Sequence, residues 1–186
     1  PGQSRNLVVE MIAFVRKYNS DEINIWEVRI EGSGLLRANS VRVDGAGNLY
    51  IAGWTSGALP GQVQVGETDA FLQKHDRDGA EVWTRQYGTN DEDRAEAFEV
   101  DSEGNLYVAG WTRGRFPGQT GLGERDILVR TDAFVSRFDS DGLEQWTRQF
   151  GTKHPQLPRG IVADDSGGLY VVGQTSGRIF EESFYG

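Results

Sequence analysis

Four side chains near the ends of two similar strands have the chemistry to hold a ligand. Trp54 and Trp111 each end an apolar run, and Arg113 and Arg115 follow the second tryptophan closely. An indole face can stack on a sugar or a peptide, and a guanidinium can bind an anion. Packing between elements and ordinary surface charge use the same residue types. These four residues are therefore candidates for ligand binding, with a structural role as the alternative.

Acidic residues offer a second kind of chemistry. They cluster at Asp91-Glu92-Asp93 and recur in Asp-x-Asp-Gly segments at 76–79 and 139–142. Carboxylate oxygens are the ligands that Ca²⁺ prefers, which makes Asp91 and Asp93 weak candidates for a metal site. A calcium loop needs more converging oxygens than two, and aspartate also accepts hydrogen bonds from its own backbone in turns. We therefore expect turns at the Asp-x-Asp-Gly segments and no metal or cofactor.

Nothing in the sequence indicates a reaction centre. The two histidines, His75 and His154, do not recur with a plausible catalytic or metal-ligating partner, and His75 occupies a position that is aromatic in the equivalent segments. The glycines at 45 and 47 precede a strand pattern rather than a helix, unlike a dinucleotide-binding fingerprint. We expect a protein without catalytic activity.

Composition excludes several classes of function. The chain has 186 residues, enough for one domain, with 37% hydrophobic and 11% aromatic residues to fill a core. A net charge of −9 argues against nucleic acid and anionic membranes as partners, because both are bound by clustered Lys and Arg. No apolar run approaches the ~20 residues of a membrane helix, and the absence of cysteine excludes disulfides. The chain begins with Pro1 and no signal peptide, which suggests a processed chain or a fragment.

The candidate residues belong to a segment that occurs three times. Gly104–Thr112 reads GNLYVAGWT, and its other copies are Gly47–Thr55 and Gly167–Thr175. Each copy is an apolar run of strand length entered through a turn, with both faces apolar, as in a strand buried on both sides. Trp83 lies 57 residues after Trp26, and Trp146 lies 63 after Trp83. A repeat of this length in a glycine-rich sequence predicts an array of one supersecondary unit.

Each unit contains four strand patterns joined by short Asp-Gly or Glu-Gly turns. In the best copy the strands are expected at 95–100, 105–112, 132–138 and 145–150. Four antiparallel strands per repeat predict a β-propeller blade. The fourth strand alternates aromatic with polar residues, so we expect Trp26, Trp83 and Trp146 to be largely buried and Gln145, Thr147 and Gln149 to face water.

The predicted fold is all-β, an incomplete propeller of about three blades in a single segment covering residues 1–186. Residues 10–30 supply a half-blade, 37–88 and 94–151 supply whole blades, and 157–186 supply a second half-blade. The short turns share one face of the blades. Longer connections of varying length and charge share the other, here called the loop face, where binding residues are expected.

These motifs resemble the bacterial SBBP-type β-propeller repeat, with a strand order like that of NHL-type propellers. The resemblance rests on Asp69-Ala70-Phe71, Asp76–Gly79, Trp83–Thr89 and Gly104–Thr112, and it covers nearly the whole chain. The first copy departs from the pattern at Ile12, Glu22 and Glu31. The resemblance implies a secreted or cell-surface bacterial repeat protein, usually part of a longer chain, with no established catalytic residues.

Three functions remain open at this point. The favoured one is a non-catalytic extracellular binding or scaffold module whose partner is a protein or a glycan. The alternatives are a fragment of a propeller-type polysaccharide lyase or hydrolase, and a purely structural spacer. The two half-blades are complementary, so head-to-tail pairing in a homodimer would complete a six-bladed ring with two-fold symmetry.

Overall fold

The computed structural model describes residues 12–119, 131–152, 154–164 and 166–176. Within these ranges the chain forms twelve strands and no helix. None of the described residues forms a helix with the length and hydropathy of a membrane span. The strands are β1 (Ala13–Tyr18), β2 (Asn24–Ile30), β3 (Leu36–Val43), β4 (Leu49–Thr55), β5 (Asp69–His75), β6 (Glu81–Tyr87), β7 (Asp93–Val100), β8 (Leu106–Thr112), β9 (Asp132–Phe138), β10 (Glu144–Phe150), β11 (Gln156–Ala163) and β12 (Leu169–Thr175).

The strands form four antiparallel sheets. Within each sheet, neighbouring strands follow one another in chain order. Half-blade A contains β1 and β2, blade B contains β3 to β6, blade C contains β7 to β10, and half-blade D contains β11 and β12. Strand β7 contacts both β3 and β11, so the first strands of B, C and D lie side by side. The predicted all-β fold with four-stranded blades is confirmed. Parts of the terminal segments and of the 113–131 connection lie outside the described residues, including residues 177–186 of the half-blade predicted at 157–186.

Apolar clusters fill the space between successive sheets. Between B and C, Tyr50, Ala52 and Leu72 pack against residues of β7, β8 and β9. A second cluster joins A to B, and a third joins C to D around Ala109 and Ile161. Both faces of β8 are buried, as its sequence predicts. Full burial of each large apolar side chain stabilises the fold by about 1.5–3 kcal/mol.

One short turn recurs at every hairpin on the face opposite the loop face, here called the turn face. An aspartate Oδ1 accepts hydrogen bonds from the N–H groups two and four residues later, as Asp76 does from Asp78 and Ala80 at 2.9 Å each. The same pattern occurs at Asp44, Asp101, Asp139 and Asp164. The glycine of each of these turns has a positive φ, +90° at Gly79, which a side chain would oppose. In half-blade A, Asn19 replaces the aspartate, and Glu22 adopts φ 62° without the help of glycine.

The prediction of a solvent-exposed polar face on the fourth strand is wrong for two of its three residues. Gln145 is exposed, whereas Thr147 and Gln149 are buried at 7% exposure each. Thr147 Oγ1 lies 2.7 Å from Ser136 Oγ and donates to Glu144 at 2.6 Å. Burial of these polar groups is tolerated because each has a hydrogen-bond partner.

The three repeated tryptophans do occupy equivalent positions, but each is only half-buried. Trp83 and Trp146 each lie near a tyrosine ring of their own blade. Trp83 also packs against Gly142 of blade C, so its burial depends on the neighbouring blade as well as on its own sheet. The periodicity of a single strand carries no information about that contact.

Candidate functional site

The tryptophan candidates meet around an arginine at the loop-face end of the blades. Arg94, the second residue of β7, lies with Cζ 4.1 Å from the Trp54 ring centroid and 4.9 Å from that of Trp111. Trp54 comes from the end of β4 and Trp111 from the end of β8, opposite Arg94 in the β7–β8 ladder. Cation–π contacts of this kind stabilise by about 0.5–2 kcal/mol each. One ring face of each indole therefore contacts a side chain of the protein itself.

Three equivalent β-bulges direct further polar side chains toward Trp111 and Arg94. The register shifts at equivalent points of β3, β7 and β11, which leaves Asn39, Glu96 and Arg159 unpaired in their ladders. A bulge redirects the side chain of the extra residue. Glu96 receives hydrogen bonds from Trp111 Nε1 at 3.0 Å, from Asn39 at 3.4 Å and from Arg159 at 3.5 Å.

Glu92 completes the group on its outer side. Its carboxylate lies 3.0 Å from Nη1 of Arg113 and 3.8 Å from Nη2 of Arg94. We call these eight residues the junction cluster: Asn39, Trp54, Glu92, Arg94, Glu96, Trp111, Arg113 and Arg159. The cluster links blade B, blade C and half-blade D through its own side chains. Its two carboxylates are both engaged by cations or N–H donors, an arrangement that favours rigidity over proton transfer.

The remaining candidates lie near the cluster in different environments. Arg115 is exposed on the connection after β8. Asp91 is exposed, whereas Asp93 is fully buried and accepts hydrogen bonds from Thr89 N at 2.6 Å and Thr89 Oγ1 at 2.9 Å. Within the described ranges, no group of three or more His, Asp or Glu side chains is placed to hold a metal ion.

Asp93 is the most perturbed carboxylate of the loop face. Burial raises its pKa to about 6, against the hydrogen bonds from Thr112 and Thr89, which lower it. The nearby charge of Asp69 raises it further. A perturbed acid can mark a functional site. Here Asp93 also closes the Thr89–Asp93 connection, and a Cβ on Gly88 would meet its Oδ2 at 2.5 Å, so the same group has a structural role.

Two glutamines hold the connections that follow β4 and β8. In blade B, Gln86 accepts from Leu59 N at 2.9 Å and donates to Gly57 O at 3.1 Å and to Asp69 at 2.7 Å. In blade C, Gln149 makes the equivalent contacts with Phe116 N, Gly114 O and Asp132. Leu59 and Phe116 are buried beneath their loops at 2% and 4% exposure. The loops thus leave the blades in a fixed direction.

Beyond these anchors the two loops differ. The loop of blade B exposes Val63 and Val65, at 79% and 46%, whereas that of blade C begins with Arg113 and Arg115. Residues 120–130 of the blade C loop lie outside the described residues. On matched supports, the blade B loop therefore exposes apolar side chains, and the described start of the blade C loop is basic.

Of the four binding candidates predicted from the sequence, Trp54, Trp111 and Arg113 belong to the junction cluster. The sequence did not indicate the residues that join them. Arg94 and Glu96 lie in a strand whose pattern looked structural. The anchoring glutamines carried a usable signal, because Gln86 and Gln149 recur at the 63-residue spacing of the repeat. Arg94 carried a partial signal: Arg37 stands at the equivalent position of blade B, opposite Trp54, whereas half-blade D has Leu157 there, opposite Gln174.

The comparisons with known proteins agree with this architecture. A family model described as the SBBP β-propeller repeat matches residues 82–117 and 145–181. The regulatory protein FlaEY of Caulobacter vibrioides is 32% identical over 148 residues, which are 74% of this chain and 16% of that protein. The chain thus spans about a sixth of the length of this curated relative.

A solved structure shares the fold. The crystal structure of a protein of unknown function from Bacteroides caccae superposes with a TM-score of 0.52 and 18% sequence identity, covering 83% of this chain and 44% of that one. At that identity the likeness concerns the fold alone. The matched repeats, the four-stranded blades and the recurrent turns lead to one identification: this chain contains SBBP-type β-propeller repeats.

Proposed function

We propose that this chain is a non-catalytic binding or scaffold module of a larger extracellular or cell-surface β-propeller protein. The observation that carries the proposal is the pair of matched loop anchors at Gln86 and Gln149, beneath loops whose described residues differ in chemistry. A rigid scaffold that presents variable loops is a common arrangement for recognition. The partner is a protein or a glycan that contacts the exposed residues of these loops, with Val63, Arg113 and Arg115 as the first contacts.

The junction cluster supports a scaffold role over catalysis. Glu92 and Glu96 are both held by neighbouring side chains, and Arg94 is held between two indoles. A lyase or hydrolase would require an acid and a base free to exchange protons with a substrate. The described residues of the cluster offer no such pair.

The extracellular location rests on the resemblance to SBBP repeat proteins. A module that binds without turning over a substrate also suits a protein named for regulation, such as the Caulobacter relative. Because the chain spans only 16% of that relative, its role would be that of one part of a larger protein.

Binding on a glycan array and on an array of immobilised bacterial surface proteins tests the proposal. The loop-face double variant Arg113→Ala/Arg115→Ala and the single variant Val63→Ser are compared with Arg77→Ala, which removes an exposed arginine from the turn face. We expect a ligand that loses at least about tenfold in affinity with the loop-face variants and is unaffected by Arg77→Ala.

Three results would contradict the proposal. Release of unsaturated or shortened products from a polysaccharide panel would indicate an enzyme. Loss of binding in Arg77→Ala alone would place the site on the turn face. Absence of binding to any array member would favour a structural spacer.

A further inference from the structure

Successive blades recognise each other through the turn between the third and fourth strands. The ring of Trp26 in half-blade A lies against Gly79 of blade B, and the ring of Trp83 in blade B lies against Gly142 of blade C. A Cβ on these glycines would lie 3.3 Å and 3.1 Å from the respective indole. The indole thus packs on a turn that has no side chain at its fourth position.

Hydrogen bonds to the turn carbonyls accompany the stacking. Trp83 Nε1 and Lys74 Nζ both donate to Ser140 O at 3.3 Å. Arg85 donates to Gly142 O and to Asp141 O at 2.9 Å each. At the preceding junction, Lys17 Nζ donates to Arg77 O at 3.3 Å, the equivalent contact one blade earlier. At the junction of blades B and C, a tryptophan, a lysine and an arginine therefore bind the backbone of the neighbouring turn.

Blade C presents the same residue types on its other side. Trp146, Arg148 and Arg137 stand 63 residues after Trp83, Arg85 and Lys74. Arg148 is exposed, and Nε of Arg137 is buried without a hydrogen-bond partner among the described residues. We call these three residues the turn receptor.

A groove next to Arg137 lies between the turns of blade C and half-blade D. In blades B and C the first turn packs against the second turn of the same blade: a Cβ on Gly47 would lie 3.5 Å from Arg77 Cβ and one on Gly104 3.4 Å from Ser140 Cβ, whereas Gly167 of half-blade D has no described neighbour within 4 Å. The groove measures about 420 Å³ and is lined by Tyr107, Arg137 and the turn at 164–167, among others. On the adjoining strand β12, Tyr170 is 63% exposed, although its counterparts Tyr50 and Tyr107 are buried.

We propose that the turn receptor binds the third-to-fourth strand turn of a further SBBP repeat, one with glycine at its fourth position. The stacking of an indole on a turn glycine occurs at both internal junctions, and a lysine binds a turn carbonyl at both. The arginine contacts occur at the junction of blades B and C, because Val28 stands at the equivalent position in half-blade A, where Trp26 Nε1 has no hydrogen-bond partner among the described residues. The chain's own first turn is a poorer occupant, because a second copy would present Glu22. Its Cβ would stand where the indole approaches within about 3.3 Å, and that distance is tighter than ordinary van der Waals contact.

The turn receptor therefore favours one of two possible occupants, the turn of a following repeat over the first turn of a second copy of this chain. A following repeat with an Asp-x-x-Gly turn satisfies Trp146, Arg148 and Arg137 together. A homodimer through residues 19–22 satisfies the cations but strains the stacking. This inference concerns assembly and is independent of the binding role proposed for the loop face.

The test uses a protein in which residues 1–175 are followed by a copy of residues 56–87 in place of residues 176–186, here called the extended chain. The copied residues contain a complete third and fourth strand with the turn 76–79. Four proteins form a double-mutant cycle: the extended chain, its Arg148→Ala variant, the Gly→Glu change at the copied position 79, and the combination. Unfolding by denaturant gives the folding equilibrium constant of each.

If the receptor reads the turn, Arg148→Ala and Gly→Glu each lower the folding equilibrium constant of the extended chain at least about tenfold. Their effects are then coupled by at least about fivefold. Strain of glutamate at positive φ is intrinsic to the turn and would persist unchanged in the Arg148→Ala background. Additive effects would therefore overturn the proposal.

Sedimentation of the original 186-residue chain provides a second test, because it measures whether two copies associate. We expect Trp146→Ala and Arg148→Ala to leave its association state unchanged. A stable dimer that these variants dissociate, and that Glu22→Gly tightens, would identify the second copy as the occupant and overturn the proposal.

Discussion

Strand β5 begins with one aspartate and is followed directly by another, and the two have opposite surroundings. Asp69, on the loop face, is fully buried and accepts hydrogen bonds from Val65 N, Gly66 N and Gln86. Asp76, which follows the strand on the turn face, accepts from two backbone N–H groups of its own turn. The hydrogen bonds of Asp69 connect residues up to 17 positions apart in the chain, whereas those of Asp76 stay within its own turn.

The pKa values show the same contrast. Hydrogen bonds from Ser166 and from the Gly168 N–H hold the pKa of the turn aspartate Asp164 below its usual value. Burial instead raises the pKa of the loop-face Asp93 to about 6. A turn stabilises the charged carboxylate with N–H donors in contact with water, whereas a junction between blades removes the carboxylate from water. One residue type thus has a local role on one face and a tertiary role on the other.

The largest expected effect is the difference between Asp69→Ala and Asp76→Ala. Removal of Asp69 leaves three donors without their acceptor inside the fold, so we expect a loss of about 3–5 kcal/mol in the free energy of unfolding. Asp76→Ala should cost about 1 kcal/mol, because water can reach the freed N–H groups. Denaturant unfolding measures both, and equal losses would contradict the distinction between the faces.

Asp93→Asn should change how stability depends on pH. The folded pKa of about 6 exceeds the ordinary value of 3.8, so the folded chain holds the proton more tightly than the unfolded chain. The contribution of Asp93 to stability is full below pH 3.8 and is lost as the pH rises through 6. On that basis, Asp93→Asn should raise the free energy of unfolding at pH 7.5 by up to about 3 kcal/mol.

The control for this prediction is Asp164→Asn, whose pKa shift has the opposite sign. That substitution should not stabilise the protein at pH 7.5. Denaturant midpoints measured from pH 4 to pH 8 give the slopes. An unchanged slope between pH 4 and pH 6 in Asp93→Asn would show that Asp93 is not the group responsible.

Two glutamines of strand β10 allow a matched comparison of smaller size. Gln149→Ala removes the anchor of the blade C loop and should cost about 2 kcal/mol, since its partners Phe116 N and Gly114 O lose a buried hydrogen bond. Gln145→Ala removes an exposed amide that contacts Asp139 on the turn face, and should cost less than about 0.5 kcal/mol. Amide hydrogen exchange of residues 113–119 should increase only in Gln149→Ala; protection that survives in this variant would indicate another anchor.

The smallest expected effect concerns the turn of half-blade A. Glu22→Gly places the residue that tolerates positive φ where Glu22 now has φ 62°, and should stabilise the chain by about 0.5–1 kcal/mol. Gly79→Ala, at φ +90°, should destabilise it in turn. A thermal midpoint lowered by Glu22→Gly would indicate that the glutamate side chain makes a stabilising contact.

The repeat and its turns could be predicted because their causes lie close together in the sequence. The second and third strands of blade C were expected at 105–112 and 132–138, and they lie at 106–112 and 132–138. Asp139 and Gly142 determine the hairpin between β9 and β10 through hydrogen bonds that span four residues at most. The double burial of β8 followed from its apolar residues on both faces.

The residues around the candidate site could not be predicted in this way. Nothing in the strand pattern of β10 distinguishes Gln145, which is exposed, from Gln149, which is buried. The difference depends on a loop that packs over one end of the strand. The contacts of Arg94 likewise depend on a tryptophan 40 residues earlier in another blade.

The sequence by itself determined the strands, the hairpin turns and the repeat that makes this chain a series of propeller blades, because hydrophobic period, glycine at positive φ and aspartate in a turn act over a few residues. Only the tertiary structure decided which aspartates are buried, which aromatic faces are covered and which cations meet the neighbouring turn. Those outcomes depend on how one sheet packs against the next. The same side chain has a different free energy in water and between two blades, and its neighbours in the chain do not specify which environment it enters.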